Sequence, residues 1–297
     1  MKKFRIRVPA TTANLGPGFD AFGCALARYN CFTFTQEATI DDFSFENVLP
    51  VFANRENLAV QAYLHAAKQL SVPPTPFHLR IDADIPVSSG MGSSATLIVA
   101  GVMAAFLLHD LPQDLPRALT LATQIEGHPD NVAPAIFGGL TVCVTENGTP
   151  TAVSFPIHPS IHLIALLPDY PLSTALSRSV LPASVSYADA VFNLSHAVLL
   201  TRALATGDAA LISHALQDRL HQPYRAPLIH DYDAVRDAAM SAGCCGFCLS
   251  GAGPTCLAIT TDPTSAKRLS DALPAVSSHY TPCPLGVDTA GVQIEIL

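Results

Sequence analysis

The sequence predicts an α+β protein in two parts, and three observations carry that reading. Both halves of the chain mix short alternating apolar segments with longer segments of helical spacing, so neither half is all-α or all-β. The 297 residues, 49% of them hydrophobic, are enough for one large domain or two of ordinary size. The interval 145–160, rich in Gly, Pro, Thr and Ser, lies near the middle and is the candidate junction, which gives domains 1–155 and 156–297.

The elements follow in order. Residues 4–9 alternate and read as a strand, and residues 11–20 as a polar, glycine-bearing loop. Residues 57–70 have helical spacing, with Leu58, Tyr63, Leu64 and Leu70 near one face. Residues 77–81 alternate as a strand, and the loop 85–94 feeds an apolar helix over 95–109. A helix over 116–125 and strands over 140–145 and 161–167 come next. Helices are predicted over 187–205, 208–216 and 231–242. Residues 247–260 read as strand, glycine turn and strand, and 291–296 as the last strand.

Composition excludes several classes. A mean hydropathy of +0.33 with only 13% charged residues is far from the signature of disorder. The longest apolar run, 97–108, has twelve residues including Gly101, whereas a membrane span needs roughly twenty, so no membrane partner is expected. Met-Lys-Lys leads into a strand pattern and not into a signal peptide, which points to the cytoplasm. With 16 basic and 24 acidic side chains the net charge is −8, and no basic stripe suggests a nucleic acid. The eight cysteines read as reduced, mostly buried thiols. Cys245 and Cys248 have redox or half-zinc spacing, but no second pair accompanies them. An apolar chain of low charge is compatible with a homodimer.

Five segments carry candidate chemistry. Pro86-Val87-Ser88-Ser89-Gly90-Met91-Gly92-Ser93-Ser94-Ala95, followed by Thr96, places two glycines and two serines at the start of a helix. Free N–H groups and the positive end of the helix dipole make such a start a phosphate site. The segment is neither a Walker A loop nor a GxSxG elbow. Alone, it reads equally as a flexible turn with a serine cap. Glu126-Gly127-His128-Pro129-Asp130-Asn131 offers a metal ligand and several hydrogen-bonding groups, or else a helix cap and an Asx turn. Residues 249–255, Leu-Ser-Gly-Ala-Gly-Pro-Thr, are a glycine turn between strands. The opening loop contains Asn14 and Asp20, and residues 173–182 contain Thr174 and Arg178.

Taken together, the order and spacing of these segments resemble the GHMP kinases (galactokinase, homoserine kinase, mevalonate kinase, phosphomevalonate kinase) over nearly the whole chain. Residues 86–95 look like that superfamily's phosphate loop and residues 249–255 like its carboxy-terminal glycine motif. Residues 8–20, residues 127–134 and the pattern Ser173-Thr174-x-x-x-Arg178-x-x-Leu181-Pro182 resemble the homoserine kinase branch. Tyr224-Arg225 looks like that branch's later arginine site. Met91 and Thr96 stand where the superfamily more often has Leu and Ala.

The resemblance implies a two-domain fold. Its N-terminal domain would carry a left-handed βαβ unit, its C-terminal domain would be ferredoxin-like, and the active site would lie between them. It implies transfer of the ATP γ-phosphoryl group to the hydroxyl of L-homoserine, with Mg²⁺ held by Ser94 and Glu126. Arg178 and Arg225 would bind the substrate carboxylate. Asn14, Asp20 and Asn131, with His128 and Asp130 nearby, would bind the ammonium, and Thr174 would position the hydroxyl. The proton would pass directly to the phosphate, with Asp130 as the alternative base. Two rival readings are another small-molecule kinase of the superfamily and a catalytically inactive nucleotide-binding regulator on the same fold.

Overall fold

A computed structural model describes residues 2–36, 42–87 and 89–297, so Ser88 of the glycine loop lies outside the described residues. The first half is built on a bent seven-stranded sheet. Strands β1 (Lys2–Ala13) and β2 (Phe22–Gln36) form a long antiparallel pair. Strand β3 (Ser44–Glu46), helix α1 (Leu58–Gln69), strand β4 (His78–Ala83) and helices α2 (Ser93–Leu108), α3 (Leu115–Glu126) and α4 (Pro129–Phe137) follow. Strands β5 (Leu140–Glu146) and β6 (Thr149–Phe155) complete this half as a hairpin.

β2 is the pivot of the sheet. Its start, Phe22–Cys24, pairs with β5, and its later part, Asn30–Thr35, pairs with β4. The register with β1 shifts between Pro9 and Ala10, where proline has no N–H to give the ladder. The bend lets one strand serve two partners, and the glycine loop follows β4. Helices α1 to α4 cover the sheet over a core that includes Ile6, Phe32, Phe34, Tyr63 and Met103. α2 is buried on nearly every side, which explains why its sequence is apolar without a polar face. A Cβ at Gly101 would run into the carbonyl of Ala59, so this glycine sets how closely α1 and α2 approach.

The second half contains strand β7 (His162–Pro168), helices α5 (Thr174–Ser179), α6 (Tyr187–Thr206), α7 (Ala209–Ala215), α8 (Gln222–Arg225) and α9 (Tyr232–Ser241), strands β8 (Gly246–Leu249) and β9 (Cys256–Thr260), helix α10 (Ser265–Ala272) and strand β10 (Tyr280–Leu285). Its antiparallel sheet has the order β10-β7-β9-β8, the ferredoxin-like arrangement. The last strand, β11 (Gln293–Ile296), returns to the first sheet and pairs with β1. A second core joins the halves: Leu15, Phe22 and Met91 pack with Leu163, Leu204 and Leu257. A third lies on the other face of the second sheet, under α9 and α10.

Several elements differ from the sequence expectation. β2 is absent from it because its first five residues are all buried and show no alternation. The interval 145–160 contains β6, turned back onto β5 through Asn147 and Gly148, so the chain leaves the first sheet only after Phe155. Residues 129–137 form α4, with Pro129 at its first position, beyond what reads as a turn. The short α5, α10 and β10 were not anticipated. All eight cysteines are free, five of them buried; burial pushes the Cys24 and Cys248 thiols up to about 12. Among the described residues no helix is long and apolar enough to cross a membrane.

Candidate active site

A cleft of about 520 Å³ lies where the two halves meet, and the glycine loop lines it. Gly90 and Gly92 have φ of 85° and 66°, the left-handed region that favours glycine. The loop is locked from both sides through its carbonyls. Thr11 N donates to Met91 O at 3.1 Å, Ser250 Oγ to Gly90 O at 2.7 Å, and Thr255 N to Ser89 O at 3.1 Å. Asn30, deep in β2, fixes the loop's entrance: its Oδ1 accepts from Asp84 N and Ile85 N, and its Nδ2 donates to Thr96 Oγ1. Gly92 is the N-cap of α2 and offers no side chain to the helix. The N–H groups of the first turn of α2 are therefore without a side-chain cap at the edge of the cleft, where an anion is stabilised.

Opposite this helix start, Glu126 ends α3 and its Oε1 accepts from Ser94 Oγ at 3.2 Å. A carboxylate at a helix C-terminus faces the negative end of the dipole. Burial raises the Glu126 pKa as well, with His128 and Ser94 pulling the other way. Two hard oxygen donors, one charged, converge beside the loop. That is a donor set suited to Mg²⁺, which keeps waters and phosphate oxygens as its remaining ligands. Beyond it, His128 Nδ1 meets Asp130 Oδ1 at 2.5 Å, and Asn131 Nδ2 donates to the same oxygen at 3.3 Å. Burial opposes the charged form of His128, but Asp130 and Glu126 together hold its pKa above the ordinary value. Asn131 Oδ1 in turn accepts from Thr11 Oγ1 at 2.8 Å. Atoms of Asp20, His128 and Asp130 lie within 4.8 Å of one another.

The far end of the cleft carries two arginines. Arg178, on α5, donates through Nη1 and Nη2 to the two oxygens of Asp20 at 3.1 and 2.7 Å. Arg225, on α8, is buried; its Nε donates to Ser177 O and its Nη1 to Gly251 O, and Nη1 also meets His221 Nδ1. Burial and the neighbouring Arg178 lower its pKa. Phe19 lies under both guanidinium groups, 5.6 and 5.2 Å from its centroid, and stacks on His221. Asn14 Nδ2 donates to Gly251 O at 2.8 Å and its Oδ1 accepts from Asp20 N, tying the opening loop to the glycine turn of the second half.

The cleft thus brings together Asn14, Asp20, Val87, Ser89, Gly90, Gly92, Ser93, Ser94, Glu126, His128, Asp130, Asn131, Thr174, Arg178 and Arg225. Pro86, Met91, Ala95 and Thr96 belong to the same loop and helix but are not part of its lining; Met91 is in the core between the halves, and Thr96 bonds to Asn30. Sequence reasoning missed Asn30, Phe19 and His221. Phe19 precedes Asp20 in a segment already singled out; the other two are joined to the site only by the fold. The cleft's other end is apolar, lined by Val48, Leu49, Phe52, Leu58 and Leu97.

Comparison with known proteins agrees with this geometry. Residues 57–139 match the family model of the GHMP kinases N terminal domain, and residues 200–279 that of the GHMP kinases C terminal domain. The chain is 42% identical to the homoserine kinase of Gloeobacter violaceus over 299 residues, covering 98% of each chain. It is 41% identical to that of a Synechococcus strain, covering 99% of this chain and 98% of the relative. The crystal structure of homoserine kinase from Cytophaga hutchinsonii superposes with a TM-score of 0.87 at 25% identity, covering 99% of this chain and 98% of that one. Likeness of this extent, with a glycine loop, a helix-end glutamate and paired arginines on one cleft, places the chain in the homoserine kinase family of the GHMP kinases.

Proposed function

We infer that the cleft transfers the γ-phosphoryl group of ATP to the side-chain hydroxyl of L-homoserine, giving O-phospho-L-homoserine, a step of threonine biosynthesis. The observation that carries this reading is the convergence of Asp20, Arg178 and Arg225 at one end of a cleft whose wall is the glycine loop. A zwitterion needs one anionic and one cationic partner within the reach of a small molecule. A sugar has no carboxylate for two arginines, and mevalonate, which has one, has no α-carboxylate and no ammonium for Asp20.

Phosphoryl transfer asks for positioning and charge neutralisation more than for covalent chemistry. The apolar end of the cleft takes the nucleobase. The N–H groups of Gly92, Ser93, Ser94 and Ala95 face the phosphates, because the loop's carbonyls are already engaged elsewhere. Ser94 and Glu126 hold Mg²⁺, which supplies charge neutralisation on the phosphate oxygens. Arg178 and Arg225 hold the amino-acid carboxylate in charge-assisted, forked contacts. Asp20 and Asn14 receive the ammonium, with Asn131, His128 and Asp130 at their side. Thr174, exposed at the first position of α5, orients the reacting hydroxyl. Asn131 can accept no proton, and Asp130 is already engaged through Oδ1 by His128 and Asn131. In the reading favoured here the hydroxyl attacks directly and its proton leaves with the transferred phosphate, with the free oxygen of Asp130 as the alternative base.

The division into domains 1–155 and 156–297, with β11 returning to the first sheet, and a cytoplasmic location belong to the same reading. ATP consumption measured with and without L-homoserine tests it. Homoserine-dependent ADP release supports the assignment. Turnover that ignores homoserine but responds to mevalonate or a sugar would move the chain to another branch, and no turnover with any alcohol would make it a nucleotide-binding protein only.

A further inference from the structure

Asn30 is a polar side chain on an apolar face. In β2 it is 2% exposed, and the strand period puts it on one face with the core residues Phe32 and Phe34. An amide at that depth is costly unless its hydrogen bonds are made. Among the described residues, its side-chain bonds run to the two ends of the glycine loop. At the entrance Oδ1 accepts from Asp84 N at 3.0 Å and from Ile85 N at 3.1 Å. At the exit Nδ2 donates to Thr96 Oγ1 at 2.9 Å. Thr96, fully buried in the first turn of α2, extends the chain of bonds, because its Oγ1 donates to Ser93 O at 2.8 Å. One amide and one hydroxyl thus join the residues before the loop to the helix turn that follows it.

We propose that Asn30 and Thr96 are a positioning pair for the nucleotide. They set the distance between the loop's entrance and the first turn of α2, and so hold the N–H groups of Ser93, Ser94 and Ala95 where the phosphates of ATP meet them. The inference rests on the reading of this loop as the phosphate site. The ties from Thr11, Ser250 and Thr255 reach the carbonyls of Met91, Gly90 and Ser89, in the middle of the loop. Two glycines in the left-handed region give that middle wide conformational freedom, so it does not fix its own ends. A loop whose ends are already held loses less conformational freedom when ATP arrives, which is how a residue raises affinity by acting through another. The chemistry needs both residue types. Asn carries an acceptor for two N–H groups and a donor for the hydroxyl on one planar group, whereas Asp has no donor and Leu has neither. The Thr96 hydroxyl accepts and donates at once, and valine has the same shape without it.

Calorimetry with Mg·ATP, steady-state kinetics and thermal unfolding of the full chain test the pair. Thr96→Val keeps the shape and deletes the hydroxyl; Thr96→Ser keeps the hydroxyl and deletes a buried methyl. Thr96→Val is expected to raise the Kd and KM for ATP about 10-fold, while KM for homoserine moves by less than about 2-fold. Thr96→Ser should retain most of the ATP affinity although the missing methyl lowers its Tm. Affinity would then follow the hydroxyl and not the stability, which a merely structural role does not predict. Asn30→Leu should weaken ATP binding more than Thr96→Val does. Adding Thr96→Val to Asn30→Leu should do much less than Thr96→Val does alone, because the hydroxyl acts through the amide. The two variants at position 96 decide the matter even where Asn30→Leu fails to fold. The proposal is overturned by wild-type ATP affinity in Thr96→Val, by equal losses in Thr96→Val and Thr96→Ser, or by a rise in KM for homoserine as large as that for ATP. In each of these results the wild type still binds ATP and the loop keeps its assignment. A wild type that binds no Mg·ATP would remove the assignment of the loop, and this inference with it.

Discussion

Arg178 grips both carboxylate oxygens of Asp20, so the two groups assigned to opposite ends of the substrate neutralise each other in the free protein. An amino acid brings one charge of each sign and replaces their mutual contact with one partner apiece. Both side chains are about one-third exposed, so the pair is worth less than a buried one. Asp20→Asn is expected to raise KM for homoserine about 10- to 100-fold, at the lower end of what truncating a charge pair costs. The amine-free analogue 4-hydroxybutanoate should be a poor substrate for the wild type and no worse for the variant. Equal losses on both substrates, measured by steady-state kinetics, would remove Asp20 from the ammonium site.

The second arginine depends on a histidine. His221 Nε2 lies 2.8 Å from Gly16 O and so carries the proton, which leaves Nδ1 as the acceptor facing Arg225 Nη1 at 3.3 Å. Burial lowers the His221 pKa; Asp218 and Asp20 favour the charged form, and Arg225 opposes it. A lowered pKa means that the neutral ring persists through neutral pH and is lost on acidification below its ordinary value of about 6.5. KM for homoserine should therefore climb on the acid side while KM for ATP stays level. His221→Asn keeps an acceptor near the Nδ1 position and should raise KM less than His221→Leu does. If the two variants behave alike, the hydrogen bond to Arg225 has no part in substrate binding.

What the sequence disclosed, and what it hid, follows from the range of the interactions. Gly90 and Gly92 are legible because the left-handed backbone they adopt is written locally. The helix 95–109 was legible as buried from its unbroken apolar run and is observed as Ser93–Leu108. Phe22–Gln36 was not, since a strand covered on both faces loses the period-two signal. Asn30 looks like any polar residue in a run of aromatics until the fold brings Asp84 and Thr96 to it. His221 is one of eleven scattered histidines, and its partner Gly16 is 205 positions away. Arg178 and Arg225 entered through motif resemblance; nothing local distinguishes either from a solvated surface charge.

Glu126 combines two features that weaken a fold, partial desolvation in the cleft and the wrong end of a helix dipole. Glu126→Gln keeps its shape and removes the charge. We expect kcat to fall at least about 100-fold, the loss typical of a removed electrostatic contact. Excess Mg²⁺ should not restore it. Thermal unfolding should show a Tm equal to or above that of the wild type, since a partly desolvated charge at the wrong end of a helix dipole is gone. A lower Tm with intact turnover would make Glu126 a structural residue and not a metal ligand.

Gly92 lies against Thr11 and Asn131, between the loop assigned above to the nucleotide and the residues assigned to the substrate. A Cβ there would strike Thr11 Oγ1, the same oxygen that donates to Asn131. Its φ of 66° also costs any other residue about 1–2 kcal/mol, whatever the space around it. Two penalties of different origin can be separated. Gly92→Ala should weaken ATP binding at least about 100-fold by calorimetry, because relieving the clash moves the N–H groups at the start of α2. Thr11→Ala alone should leave ATP affinity within a few-fold of the wild type and lower kcat, because Asn131 loses its anchor. In the double variant the clash is gone and the backbone strain remains, so ATP affinity should recover only in part. A double variant no better than Gly92→Ala would show that strain alone is responsible, and that the contact between Gly92 and Thr11 does not set the position of the phosphate loop.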